Sequence, residues 1–148
     1  MSKSESLSLA VTHEVRDTCL CLHAQRAARS MARRFDEALA PLRLTNGQFS
    51  LLVSLNRPAP PPLGAVAALL AMDRTTLTAN LKPLQRRRLV NVAVDKNDKR
   101  SHLLVLTPAG KALLRKALPI WRKTHGEVDR AFSKSQLDNL RAGLLAVS

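Results

Sequence analysis

The chain has 148 residues and carries 24 Lys and Arg against 11 Asp and Glu, a formal charge of +13. An excess of this size points to a polyanionic partner, nucleic acid ahead of an anionic membrane surface. Hydrophobic residues make up 45% of the sequence, which excludes a disordered chain, while aromatics are only 3% with no Tyr, so the core falls to Leu, Ala and Val.

No apolar run approaches the ~20 residues of a membrane span. Residues 1–10 are polar apart from Leu7 and Leu9, without the apolar core of a secretory signal, so a cytoplasmic location is expected. From residue 13 to 39 the pattern is helical. Val15, Cys19, Leu22, Arg26, Arg29 and Arg33 recur at spacings of three and four, with Thr12 as N-cap and Pro41 as stop. One helix this long suits packing along a partner helix, so it reads as a dimerisation element. Residues 45–55 form the next helix, opened by a capping box between Thr45 and Gln48, with Phe49, Leu52 and Val53 as its apolar face. Residues 57–62 hold four prolines and cannot be helical; they read as a stiff connector rather than a ligand for a proline-reading module.

A short apolar helix at 63–70 is followed by a turn at Ala71 and Met72. Asp73 then caps a third helix running to about Arg87. Its inner face is Leu77, Leu81 and Leu84. Its other face, Arg74, Thr75, Thr78, Ala79 and Lys82, is small, polar and basic, as suits a helix lying in a DNA groove. Pro83 inside this helix is expected to kink or end it, leaving Arg74 to Lys82 for base reading and turning Arg86, Arg87 and Arg88 toward the phosphate backbone. Residues 89–94 and 102–106 read as two strands of a hairpin around the charged turn 95–100. Thr107 caps, and Pro108 opens, a long helix to about residue 131 that Pro119 should bend. Ser133 caps a last helix whose apolar residues are Leu137, Leu140, Leu144 and Leu145.

Short helix, turn, polar-faced helix and basic-tipped hairpin is the winged helix-turn-helix plan. Residues 74–100 hold eight cations against Asp95 and Asp98, a surplus of six in under a fifth of the chain. Four stretches then resemble the MarR family of bacterial regulators. Residues 44–52 (LTNGQFSLL) resemble the start of its second helix, and residues 72–78 (MDRTTLT) its recognition-helix start. Residues 89–90 with the 95–100 turn (DKNDKR) resemble its wing, and residues 106–110 (LTPAG) its exit.

The resemblance implies a mainly α fold with a small β-wing, in a single domain. The winged helix-turn-helix would occupy residues 45–106, and helices at 12–40 and 108–148 would intertwine two copies into a homodimer. It implies that Arg74, Thr75, Thr76, Thr78, Ala79 and Lys82 face the major groove, that Lys96, Asn97, Asp98, Lys99 and Arg100 form the wing, and that Arg100 enters the minor groove with Asp98 helping to hold it. The partner would be double-stranded DNA with a pseudo-palindromic operator of half-sites ~10 bp apart. The function implied is a repressor released by a small-molecule effector or a stress signal; the alternative is a non-specific architectural nucleic-acid binder.

Cys19, Cys21 and His23 do not converge on one metal ion along a single helix. Redox sensing by Cys19 or Cys21 is the sharper reading, against buried small hydrophobes as the plainer one. His102 and His125 stand isolated, and Trp121 and Phe132 suit packing at a dimer interface. Neither a G-x-S-x-G nucleophile motif nor a Gly-rich phosphate loop occurs, so neither enzymatic activity nor a cofactor is expected.

Overall fold

The computed structural model describes residues 7–148; residues 1–6, part of the stretch read against a secretory signal, lie outside it. In chain order the elements are α1 (Leu9–Thr18), α2 (Leu20–Leu39), a 3-10 turn (Ala40–Leu42), α3 (Asn46–Ser54), α4 (Leu63–Leu69), α5 (Arg74–Arg86), β1 (Val90–Val94), β2 (His102–Leu106), α6 (Pro108–Asp129) and α7 (Lys134–Ala146). The architecture is mainly helical with one two-stranded antiparallel sheet. By contact the chain falls into two compact units, one ending at Arg34 and one covering Phe35–Ser148.

The first unit departs from the expected single helix. Helix α1 begins at Leu9, so Thr12 lies inside it rather than at its cap, and the helix breaks at Cys19, whose ψ is 108°. No Pro or Gly marks the break. The Thr18 hydroxyl donates to the Glu14 carbonyl at 2.7 Å, a back-bond of the kind that bends helices. Backbone pairing is handed across the bend: the Cys19 N–H reaches the Val15 carbonyl at 3.0 Å, and the Cys19 carbonyl accepts from His23 N–H at 3.1 Å. The stop before Pro41 is where the sequence places it, since α2 ends at Leu39 and Pro41 enters the 3-10 turn.

The second unit is built around a Leu-rich core. Leu39, Leu51, Leu52, Val66, Leu77, Leu81, Leu84, Val90 and Leu104 are all but inaccessible to solvent. The expected caps are in place. The Thr45–Gln48 capping box is complete, Asp73 accepts from Thr76 N–H, Thr107 from Gly110 N–H, and Ser133 pairs with Gln136 in a second capping box. One expectation for side chains fails: Val53 is exposed and Leu51 takes its place inside. Trp121 is partly buried within the chain, where it stacks on Phe49 at 6.2 Å and lies 4.9 Å from the His125 ring. His125 is therefore not isolated, and its Nδ1 also meets Asp129 Oδ2 at 3.1 Å.

Three left-handed residues, Arg43, Ala71 and Arg88, end helical segments where glycine is usual. At each the same pair of backbone bonds closes the turn. After α5 they are Leu89 N–H to Leu84 O and Arg88 N–H to Gln85 O, both 2.9 Å. Strand β1 pairs with β2 from Val90 opposite Leu106 to Val94 opposite His102. The proline connector joins this sheet: Pro62 bridges Leu103, and the Pro61 carbonyl accepts from Leu104 N–H at 2.9 Å. Prolines can serve at such an edge because only their carbonyls are required. Where α6 starts, Gly110 is obligatory. A Cβ there would strike the Leu89 carbonyl and lie 2.6 Å from Leu106 Cδ1.

Pro83 does not end α5. Helix α5 continues to Arg86, the Arg87 N–H reaches the Pro83 carbonyl at 3.1 Å, and Leu81 and Leu84 on either side are both buried. The bond that proline deletes is the one to the Ala79 carbonyl four residues back. Ala79 is exposed, so water can satisfy that carbonyl and the penalty falls where it is smallest. Helix α6 likewise runs through Pro119 to Asp129.

Candidate nucleic-acid interface

Burial of Leu77, Leu81 and Leu84 fixes which way α5 faces. Arg74, Thr75, Thr78, Ala79 and Lys82 are left along one exposed strip, where they line a shallow depression of about 310 Å³. Thr76 is not among them. Its backbone N–H and its hydroxyl are both bound by the Asp73 carboxylate, at 2.7 and 2.8 Å. Those two bonds, the backbone one first, hold the Asp73 carboxyl below the usual carboxylate range. Thr78 spends its hydroxyl proton on the Arg74 carbonyl at 2.8 Å, which leaves its methyl and lone pairs facing outward.

The start of α5 and the wing come together. Arg74, Asp98, Arg100, Ser101 and His102 line a cleft of about 260 Å³ with Leu63 and Gly64 of α4. Gly64 makes room for the Arg74 guanidinium, whose Nη2 would lie 2.9 Å from a Cβ at that position. His102, read from sequence as isolated, therefore stands in a cluster of cations. Its place immediately beyond the charged turn was the signal available for this. The turn itself is organised by its acids. Asp95 Oδ1 accepts from Asn97 N–H at 2.9 Å, and Asp98 Oδ1 from Arg100 N–H at 3.0 Å. Asp98 thus holds Arg100 through the backbone. Lys96, Asn97, Lys99 and Arg100 are all exposed.

The three arginines at the end of α5 separate. Arg86 is exposed, with Nε 3.4 Å from the Lys82 carbonyl, and Arg88 is exposed in its left-handed turn. Arg87 points back into the fold. Its guanidinium donates to the Arg43 carbonyl and, at 3.2 Å, to the Leu42 carbonyl.

No family profile and no curated protein sequence matches the chain. Solved structures do. The M. tuberculosis transcriptional regulator MosR, solved in complex with DNA, is 36% identical; the likeness covers 86% of this chain and 96% of MosR, with a TM-score of 0.75. The chain belongs to the MarR family of transcriptional regulators. A probable transcriptional regulator from Pseudomonas aeruginosa is 27% identical over 89% of this chain and 98% of its own, with a TM-score of 0.79. A MarR-family regulator from Rhodococcus sp. RHA1, 21% identical, covers 97% and 96% with a TM-score of 0.74 and shows the fold alone.

Three further features of this MarR-family chain lie away from the α5 strip. An open cavity of about 360 Å³ lies between α3 and α6, with Phe49, Val53, Leu114 and Leu118 beside Asn56, Lys111 and Arg115. Within the single chain Cys19 is half-buried and Cys21 exposed. Cys19 Sγ accepts from Leu22 N–H at 3.4 Å, Cys21 Sγ from Gln25 Nε2 at 3.3 Å, and His23 Nδ1 meets the Cys19 carbonyl at 2.8 Å. Finally, Leu9, Val11 and Val15 of α1 and Leu140, Leu144 and Leu145 of α7 are exposed apolar residues, and among the described residues no helix is long and apolar enough to cross a membrane.

Proposed function

We propose that this chain is a homodimeric, sequence-specific DNA-binding repressor that binds a pseudo-palindromic operator in the cytoplasm, by recognition and without catalysis. One observation carries the reading: an uninterrupted exposed strip of Arg74, Thr75, Thr78, Ala79 and Lys82, flanked by a wing that sets Arg100 beside Arg74. Thr75, Thr78 and Ala79 offer a hydroxyl edge and methyl contacts to base pairs, Arg74 a guanine-type donor fork, and Lys82 a phosphate contact. Thr76 serves the readout indirectly, through the Asp73 cap. Lys96, Asn97 and Lys99 approach the backbone at the wing tip, and Arg100 enters the minor groove, where a narrow A·T-rich stretch concentrates negative potential. Arg86 and Arg88 contact phosphates. The complex of MosR with DNA supports the assignment.

Release falls to a small amphipathic anion. The cavity between α3 and α6 suits one, with apolar Phe49, Leu114 and Leu118 for its body and Lys111 and Arg115 for its charge. Oxidation at Cys19 or Cys21 is the second route, favoured by the exposure of Cys21.

Selection of bound sequences from random DNA tests the reading. It should return a two-fold-symmetric consensus with half-sites ~10 bp apart. A pool with no consensus would make the chain an architectural binder instead.

A further inference from the structure

We infer that Arg87 is a positioning residue for DNA reading, a strut that sets the angle of the recognition helix rather than a phosphate contact; this rests on the DNA-reading proposal above. The geometry is long-range. Arg87 stands 44 and 45 residues from its two partners, the carbonyls of Arg43 and Leu42 in the turn that closes the α2 end of the fold. Arg43 has φ 54°, and the last carbonyls of such a turn lack helical N–H partners. A guanidinium meets two of them at once through its fork, as a lysine cannot. A charged donor to a half-buried carbonyl is among the stronger neutral-to-ion hydrogen bonds.

A second clip grips the same junction from the other side. The Thr107 hydroxyl lies 2.8 Å from the Arg88 carbonyl and 3.1 Å from that of Leu89, while Thr107 N–H donates to the Leu89 carbonyl at 3.1 Å. Thr107 is also the N-cap of α6. The residues where α5 ends, 87–89, are thus tied to the turn following α2 and to the first turn of α6. The outer end of α5, by contrast, carries its own Asp73 cap and the seat of Arg74 over Gly64, beside the wing residues of the shared cleft. Side chains that read bases need donor–acceptor distances of about 2.7–3.2 Å and good alignment, and a recognition helix free to swing at its inner end would lose register with the groove. Removing the strut should therefore cost specific affinity without changing the number of phosphates neutralised.

The test uses the full chain, a duplex of the consensus selected from random DNA, a scrambled duplex of equal length, and the salt dependence of binding to each. Arg87→Ala should weaken consensus binding roughly tenfold, the loss of one or two charge-assisted hydrogen bonds, with scrambled binding and the salt slope unchanged. Arg87→Lys keeps the charge but spans one carbonyl, and should give an intermediate loss at wild-type slope; it carries the test if the Ala variant unfolds. Arg86→Ala is the contrast, weakening both duplexes alike and lowering the salt slope by ~1. If Arg87→Ala behaves like Arg86→Ala, Arg87 is a phosphate contact and the inference is wrong. It is equally overturned if melting falls in both Arg87 variants while consensus affinity, measured well below the transition, stays at the wild-type value. A wild-type chain that binds both duplexes equally overturns the DNA-reading proposal and this inference together, and needs no variant to be seen.

Discussion

Helices α5 and α7 are both thirteen residues long and both space leucines for one face, yet Leu77, Leu81 and Leu84 of α5 are buried whereas Leu140 and Leu144 of α7 are about half exposed and Leu145 more so. The α5 leucines close against α4, β1 and their own core. The α7 leucines find no such cover among the described residues. Amphipathic spacing alone thus does not say what an apolar face meets. In α5 the face is satisfied within the chain, so its polar strip is the part left over for a partner. In α7 the apolar face is itself left over, as a second copy would require.

The largest effect should come from breaking the satisfied side. Leu81→Ala leaves a cavity at a residue that is 2% exposed and should cost about 2–5 kcal/mol, read as a lower urea midpoint. The unsatisfied side should respond differently. Leu140→Glu with Leu144→Glu removes apolar surface that the single chain does not bury, so the winged unit should keep its stability to within ~0.5 kcal/mol. Self-association should be lost, with sedimentation reporting the mass of one chain at concentrations where the wild type sediments as two. A doubled mass in that variant would place the dimer seam elsewhere.

The smallest effect lies at the outer end of α5. The Asp73 carboxyl is held below its ordinary range by the Thr76 bonds, so its folded value lies under its unfolded one. The stability it contributes is present above the ordinary carboxylate range and is lost as pH falls through the lowered folded value. Asp73→Asn keeps a capping oxygen but does not titrate. Thermal scans across that acid window should show the wild type losing its advantage over Asp73→Asn as pH falls. Parallel curves would mean that the cap does not couple to protonation.

What was legible in the sequence was short-range. The caps at Thr45, Asp73, Thr107 and Ser133 join residues three apart, and the hairpin register follows from alternation around one charged turn. The same holds for the outward strip of α5, since buried Leu77 and Leu81 determine where Thr78 and Lys82 face. What escaped depended on distant partners or on solvent. Arg87 looked like its neighbours Arg86 and Arg88 until its carbonyl partners more than forty residues away were known. Pro83 looked disruptive because the rule for proline does not say whether the freed carbonyl is exposed. The break at Cys19 carries neither Pro nor Gly, and Trp121 found Phe49 across two helices.

The central claim is that the outward strip of α5 reads bases. Selection from random DNA with the wild type and with Thr75→Ala, Thr78→Ala tests it most directly. The account predicts a symmetric wild-type consensus that loses information at matching positions in both half-sites of the variant, each lost contact being worth ~1–3 kcal/mol of discrimination. An identical consensus from both proteins, at the same preference over scrambled DNA, would contradict it.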